Sequence, residues 1–91
     1  MSELQFQWDE QKRLANIDKH GLDFRDVGKV MLGPVFNRVS PRGNEIRLVS
    51  VGLLDDKLVA IVWIPRGGQV RVISMRRARR EEAREYRELH G

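Results

Sequence analysis

Cysteine is absent from the 91 residues, so no disulfide, thiolate metal site or thiol nucleophile is available. That absence fits a reducing compartment and predicts a cytoplasmic location. No apolar run approaches the roughly 18 residues of a membrane-spanning helix. Glu3, Gln5 and Gln7 stand where a signal peptide would need its apolar core. Histidine is limited to His20 and His90, and no Asp, Glu or His group has the spacing of a metal-ligand set. Neither a metal nor another cofactor is expected. No internal repeat and no low-complexity tract occurs. Lysine is also scarce: 4 lysines stand against 13 arginines, for a net charge of +4. Arginine offers a planar fork of donors that fits phosphate bidentately, whereas lysine is a point charge. A basic chain biased in this way points to nucleic acid or an acidic protein as its partner.

The composition, 41% hydrophobic and 33% charged, is that of a globular chain and not a disordered one. A chain this short buries only roughly 60–65% of its unfolded surface, so residues 1–91, read as one domain, must commit nearly all their apolar side chains to one core. Leu4 to Trp8 alternates and reads as a half-buried strand. Asp9 is an N-cap for a helix to about His20, whose apolar side is Leu14, Ile17 and Ala15, and Gly21 stops it. Asp23 caps a second helix carrying Phe24, Val27, Val30 and Met31, with Leu22 as a staple onto Val27, and Gly33-Pro34 ends it. The two adjacent helices also allow a DNA-binding helix-turn-helix, although the second offers few base-reading side chains beyond Arg25, Asp26 and Lys29. Strands follow at Val35–Val39, Glu45–Leu54, Lys57–Ile64 and Gln69–Met75. Between them lie turns at 40–44, Asp55-Asp56 and 65–68. The third of these strands, apolar on both sides, should be the sheet's centre. A last helix over about Arg79 to Leu89 has a thin stripe of Ala83, Tyr86 and Leu89. The class is therefore α+β: an antiparallel sheet of four or five strands, two N-terminal helices and one C-terminal helix.

Val70 to Tyr86 holds the unusual chemistry. A β-branched strand passes into a charged helix, and Arg71, Arg76, Arg77, Arg79 and Arg80 crowd the changeover beside Ser74 and Tyr86. Guanidinium groups that close repel one another, and a polyanion across the corner would relieve the repulsion. Three readings fit: an RNA-cleaving site, a non-catalytic basic nucleic-acid-binding module, and a protein-interaction surface for an acidic partner.

In order along the chain, Phe6-x-Trp8-Asp9-x-x-Lys12-x-x-x-Asn16-x-x-Lys19-His20-Gly21, Phe24, Glu45-x-Arg47 with Gly52, Arg71-x-Ile73-Ser74-x-Arg76-Arg77-Ala78, Glu82 and Tyr86 form a pattern. It resembles the BrnT ribonuclease toxins, the toxin half of a bacterial type II toxin–antitoxin pair. Met75 stands where the family often has a small residue, and Arg79 where Thr or a similar residue is common. The resemblance implies a fold like the RelE toxins, with helices on one face of an antiparallel sheet. It implies metal-independent endoribonuclease activity that inhibits translation. It further implies neutralisation by a BrnA-type antitoxin in a toxin2–antitoxin2 assembly that binds its promoter DNA.

Metal-free RNA cleavage needs a base for the 2′-OH, an acid for the 5′-oxygen, and cations for the charge that builds on the phosphate. His20 titrates near neutrality and is a candidate acid or base, or else a helix C-cap. Lys12, two turns earlier, shares roughly the same helix face. Arg76 is a candidate phosphate clamp, with a salt bridge to Glu82 or Glu85 as the structural reading. Arg47 and Arg71 are candidates to converge on the same phosphate, Arg47 competing with a pairing to Glu45. Ser74 could bond a phosphate oxygen or merely satisfy backbone. Arg77, Arg80 and Tyr86 are candidate RNA contacts, Tyr86 doubling as anchor of the last helix. Trp8 and Trp63 belong to the core.

Overall fold

The computed structural model describes residues 4–91. Its first helix, α1 (Glu10–His20), starts where the Asp9 carboxylate accepts the Gln11 and Lys12 backbone N–H groups, and stops at Gly21, which has φ +70°. Both signals were legible in the sequence. The second helical segment opens with Asp23 accepting the Arg25 N–H. It runs as a single 3-10 turn (Phe24–Asp26) into α2 (Val27–Met31). Phe24, Val27 and Val30 are buried. A helix this short, with its apolar residues inward, has no recognition face to lay in a groove, which removes the helix-turn-helix reading.

Five strands follow the order β1-β5-β4-β3-β2. They are β1 (Phe6–Gln7), β2 (Val35–Arg42), β3 (Glu45–Leu54), β4 (Lys57–Arg66) and β5 (Gln69–Arg77), and α3 (Arg80–His90) closes the chain. β2 to β5 pair antiparallel, and the two-residue β1 adds a parallel edge to β5. β4 is central, as its two-sided apolarity requires. The hairpins are tighter than their Pro- and Gly-rich sequence suggests. The strands run through Pro41 and Pro65, and the turns are Gly43-Asn44 and Gly67-Gly68. Proline is tolerated at both places because β2 is an edge strand and Pro65 lies past Trp63, the last β4 residue paired with β3. Asp55 and Asp56 both have positive φ, which suits the twist of a two-residue hairpin.

Helical elements cover both faces of the sheet, not one as the family resemblance implies. On one face Phe24, Val27 and Val30 pack with Val59, Ile61, Val70, Val72 and Met75, flanked by Trp8 and Trp63. On the other, Tyr86 of α3 packs with Val49, Val51 and Ala60. The alternation of β3 and β4 residues between these groups follows the pleat. Gly52 admits α2 to the first face: a Cβ there would stand 2.8 Å from a Val30 methyl and 3.2 Å from the Pro34 carbonyl oxygen.

α1 is attached differently from its expected amphipathic packing. Leu14 is 54% exposed and Ile17 36%, and Ala15 is exposed too, while the buried residue of the helix is Asn16. β1 is too short to cover the whole edge of β5, and Asn16 completes the pairing. Its amide nitrogen donates to the Met75 carbonyl at 2.9 Å, and its amide oxygen accepts the Met75 N–H at 3.1 Å. The same nitrogen donates to the Leu22 carbonyl at 2.9 Å. Arg13 adds a second tie across the corner, donating to both oxygens of Asp23. α1 thus lies along a strand edge, held by polar bonds.

Two predictions follow from this packing. Asn16→Ala leaves both Met75 backbone groups unpaired and should cost about 2–4 kcal/mol in urea denaturation. Gly52→Ala pushes α2 off β3 and should cost about 1–3 kcal/mol; an unchanged midpoint in either variant would contradict the assigned contact.

Candidate functional site

The Asn16 clamp sets the roll of α1 about its axis. Lys12, Asn16, Lys19 and His20 are spaced by four, three and four residues, so they share one face. With Asn16 fixed on Met75, the other three face the open end of the sheet. The Met75 carbonyl and N–H point to Asn16 and its side chain enters the core. Its neighbours Ser74 and Arg76 therefore lie on the opposite face of β5.

A one-residue bulge decides which face that is. β5 pairs Val72 with Trp63 but Ser74 with Val62, so Ile73 is an extra residue. Without it, strict alternation from Val72 would put Ser74 and Arg76 in the main core and Met75 outside. The bulge reverses this beyond Ile73. On the same face, Ser40 pairs with Arg47 and Arg42 with Glu45 across β2 and β3.

These elements enclose an open cavity of about 620 Å3. Val49, Val62 and Ile73 contribute its apolar wall, and Lys12, Lys19, His20, Arg42, Arg47, Ser74, Arg76 and Arg79 its polar lining. No Asp or Glu is among the lining residues. A second cavity of about 430 Å3 adjoins it, sharing Ser40, Val49, Arg76 and Arg79 and adding Arg38, Arg80, Glu81 and Glu82.

Of the residues singled out in the sequence, Lys12, His20, Arg47, Ser74 and Arg76 are brought together at the larger cavity. Arg80 lines the adjoining one. Arg71 is not part of either: it lies nearer the other end of β5 and donates to the Gln7 side chain at 3.0 Å. Arg77 and Tyr86 line a separate depression with Leu53 and Arg87. Tyr86 is 6% exposed and leaves no ring face for a base to stack on, so it is the anchor of α3. Lys19, Arg42 and Arg79 were missed as site residues. Lys19 reads as a helix-dipole partner, Arg42 as part of a turn, and only the register of β2 against β3 turns Arg42 inward.

Arg76 is held in place. Its two terminal nitrogens donate to the two Glu82 oxygens at 2.8 and 3.0 Å, and Glu82 also accepts the Arg79 N–H at 2.8 Å. The pair sits on the wall with side-chain exposures of 18% and 4%. Burial pushes the Glu82 carboxyl up, but the Arg76 guanidinium and the Arg79 N–H outweigh it and hold the group below its ordinary value. Arg47 donates to Glu45 at 3.1 Å, a half-exposed pair of small energetic weight. Among the described residues, no ion pair joins Lys12, Lys19, Arg42 or Arg79 to a carboxylate. Unneutralised cations around a cleft with an apolar wall focus positive potential there.

A family model described as "Ribonuclease toxin, BrnT, of type II toxin-antitoxin system" matches residues 8–82. No curated protein matches the sequence.

The Glu82 environment has a pH consequence. Its folded-state pKa is depressed, so its stabilisation is complete above the ordinary value of 4.5 and is lost as pH falls through the lower folded value. Asp23, lowered to about 2 chiefly by the Arg25 backbone N–H, adds a step between 3.8 and about 2. Urea stability should therefore fall from pH 4.5 downward. A Glu82→Gln variant should lose the Glu82 part of that slope while keeping the Asp23 part. Equal slopes in the two proteins would contradict the ionised Arg76–Glu82 pair.

Proposed function

The chain belongs to the BrnT family of ribonuclease toxins of type II toxin–antitoxin systems, and from that premise we propose that the cavity between α1, β5 and the start of α3 cleaves RNA without a metal. The carrying observation is a cleft lined by seven basic side chains, counting His20, and by no carboxylate. Mg2+ takes oxygen ligands, which that lining supplies poorly, whereas arginine and lysine can neutralise a phosphate directly.

Cleavage proceeds by attack of a ribose 2′-OH on its own 3′-phosphate. The P–O2′ bond forms and the P–O5′ bond breaks, leaving a 2′,3′-cyclic phosphate and a 5′-hydroxyl. One proton leaves the 2′-oxygen and one reaches the 5′-oxygen. His20 is the proton-transfer group. Arg76 meets the charge that builds on the non-bridging oxygens, and Glu82 keeps the guanidinium in place before substrate arrives, so little reorganisation is needed during reaction. Lys12, Arg47 and Ser74 contact the same phosphate, and Arg80 holds a flanking one. Arg71, Arg77 and Tyr86 take no part. Acting on cellular messenger RNA in the cytoplasm, such an activity inhibits translation. A BrnA-type antitoxin neutralises it in a two-plus-two assembly that binds promoter DNA through the antitoxin.

Purified protein should cut a single-stranded RNA in the presence of chelator and leave 2′,3′-cyclic phosphate ends. A 2′-deoxy substitution at the scissile nucleotide should block the cut. His20→Ala and Arg76→Ala should each slow cleavage by about 10²–10³-fold and relieve growth arrest on expression without the antitoxin. Salt-sensitive RNA binding with no cleavage product would instead support a non-catalytic basic module.

A further inference from the structure

Arg79 occupies the N-cap of α3 with φ −76° and ψ 162°, the extended backbone that a capping residue adopts. An N-cap side chain stabilises a helix by accepting a free N–H of the first turn, and a guanidinium has five donors and no acceptor. The arginine makes no side-chain cap bond. Only the return bond exists, from the Arg79 N–H to Glu82 at 2.8 Å. The position is thus built for Ser, Asp or Asn and holds a residue that cannot do the work. Arg79 is exposed, so packing does not explain it, and no ion pair joins it to a carboxylate among the described residues. Its place in the cleft does explain it. Together with Arg76, Arg79 is a cation common to the 620 Å3 and 430 Å3 cavities. Arg76 is already bound at both terminal nitrogens by Glu82, which leaves Arg79 as the cation at the passage with its fork unoccupied by any carboxylate.

We propose that Arg79 is a substrate-binding residue that holds an RNA phosphate at the passage between the two cavities, and that helix capping is given up for this contact. The inference rests on the RNA reading above and adds a path: single-stranded RNA runs from the His20 side of the large cavity past Arg79 to Arg38 and Arg80 in the small one.

Three substitutions separate capping from charge. Arg79→Ser restores an acceptor and removes the cation, Arg79→Lys keeps a cation without an acceptor, and Arg79→Ala has neither. The readouts are thermal unfolding and the salt dependence of binding to a short 2′-O-methyl RNA, which lacks the attacking hydroxyl. Arg79→Ser should raise Tm by about 2–8 °C. It should also weaken binding about three- to tenfold and make the slope of log Kobs against log salt shallower by about 0.7. Arg79→Ala should show the same loss of binding and slope without the gain in Tm, and Arg79→Lys should retain the slope. A wild-type slope in Arg79→Ser overturns the phosphate contact, and a Tm in Arg79→Ser no higher than in Arg79→Ala overturns the surrendered cap. Wild-type protein that binds no RNA overturns both this inference and the ribonuclease reading. Wild-type binding with Arg79→Ser unchanged overturns this inference alone.

Discussion

Where β1 stops, β5 is left with an open edge, and the Asn16 carboxamide closes it by bonding both backbone groups of Met75. A carboxamide presents one donor and one acceptor side by side, as a peptide group does, so it can stand in for a neighbouring strand. Buried backbone groups without partners are costly, and this bond therefore fixes position and rotation together. It fixes Met75 with its side chain in the core, and hence Ser74 and Arg76 on the far face. It also fixes the face of α1 that carries Lys12, Lys19 and His20. Two walls of the cavity descend from one side chain.

The second constraint is electrostatic. Cations crowded at the join of β5 and α3 would repel one another, and Glu82 answers with one carboxylate placed where three demands meet. It neutralises Arg76, accepts the Arg79 N–H at the start of α3, and is buried enough that its position is not shared with solvent. The remaining cations around the cleft are left without such partners. A fold that neutralised all of them would hold no potential for an anion. One that neutralised none would hold its arginines in no fixed place. The arrangement lies between these limits, with Arg76 held and Arg79 open.

α1 contradicts the amphipathic reading of its sequence for a related reason. Leu14 and Ile17 recur at helical spacing and stay substantially exposed, because a helix lying along a strand edge needs a polar handle more than an apolar stripe. Hydrophobic periodicity gives the existence of a helix and its phase, but it cannot separate packing on a sheet's face from lying along its edge. Tyr86 shows the opposite case. Aromatic and set in a basic helix, it suits a base-stacking role on paper, but it fills the gap over Val49, Val51 and Ala60.

What the sequence by itself determined is whatever depends on near neighbours in the chain. The Asp9 and Asp23 caps, the stop at Gly21, the hairpin at Asp55-Asp56, the central place of β4 and the class of fold are all written in local chemistry and period. The ordered motifs also carried the family. What only the tertiary structure decided is whatever depends on partners far apart in sequence. The bulge at Ile73 is set by pairing with β4, and a slip of one residue moves every later side chain to the other face, so Arg76 could not be assigned to the cleft from β5 alone. Arg42 faces the cleft through the register of β2 on β3, and Arg71 is drawn away by Gln7 on β1. Lys12 and His20 reach the same cavity as Arg47 because Asn16 finds Met75, 59 residues on. A local pattern states which residues want an anion; only the pairing of distant backbone states which of them meet around one.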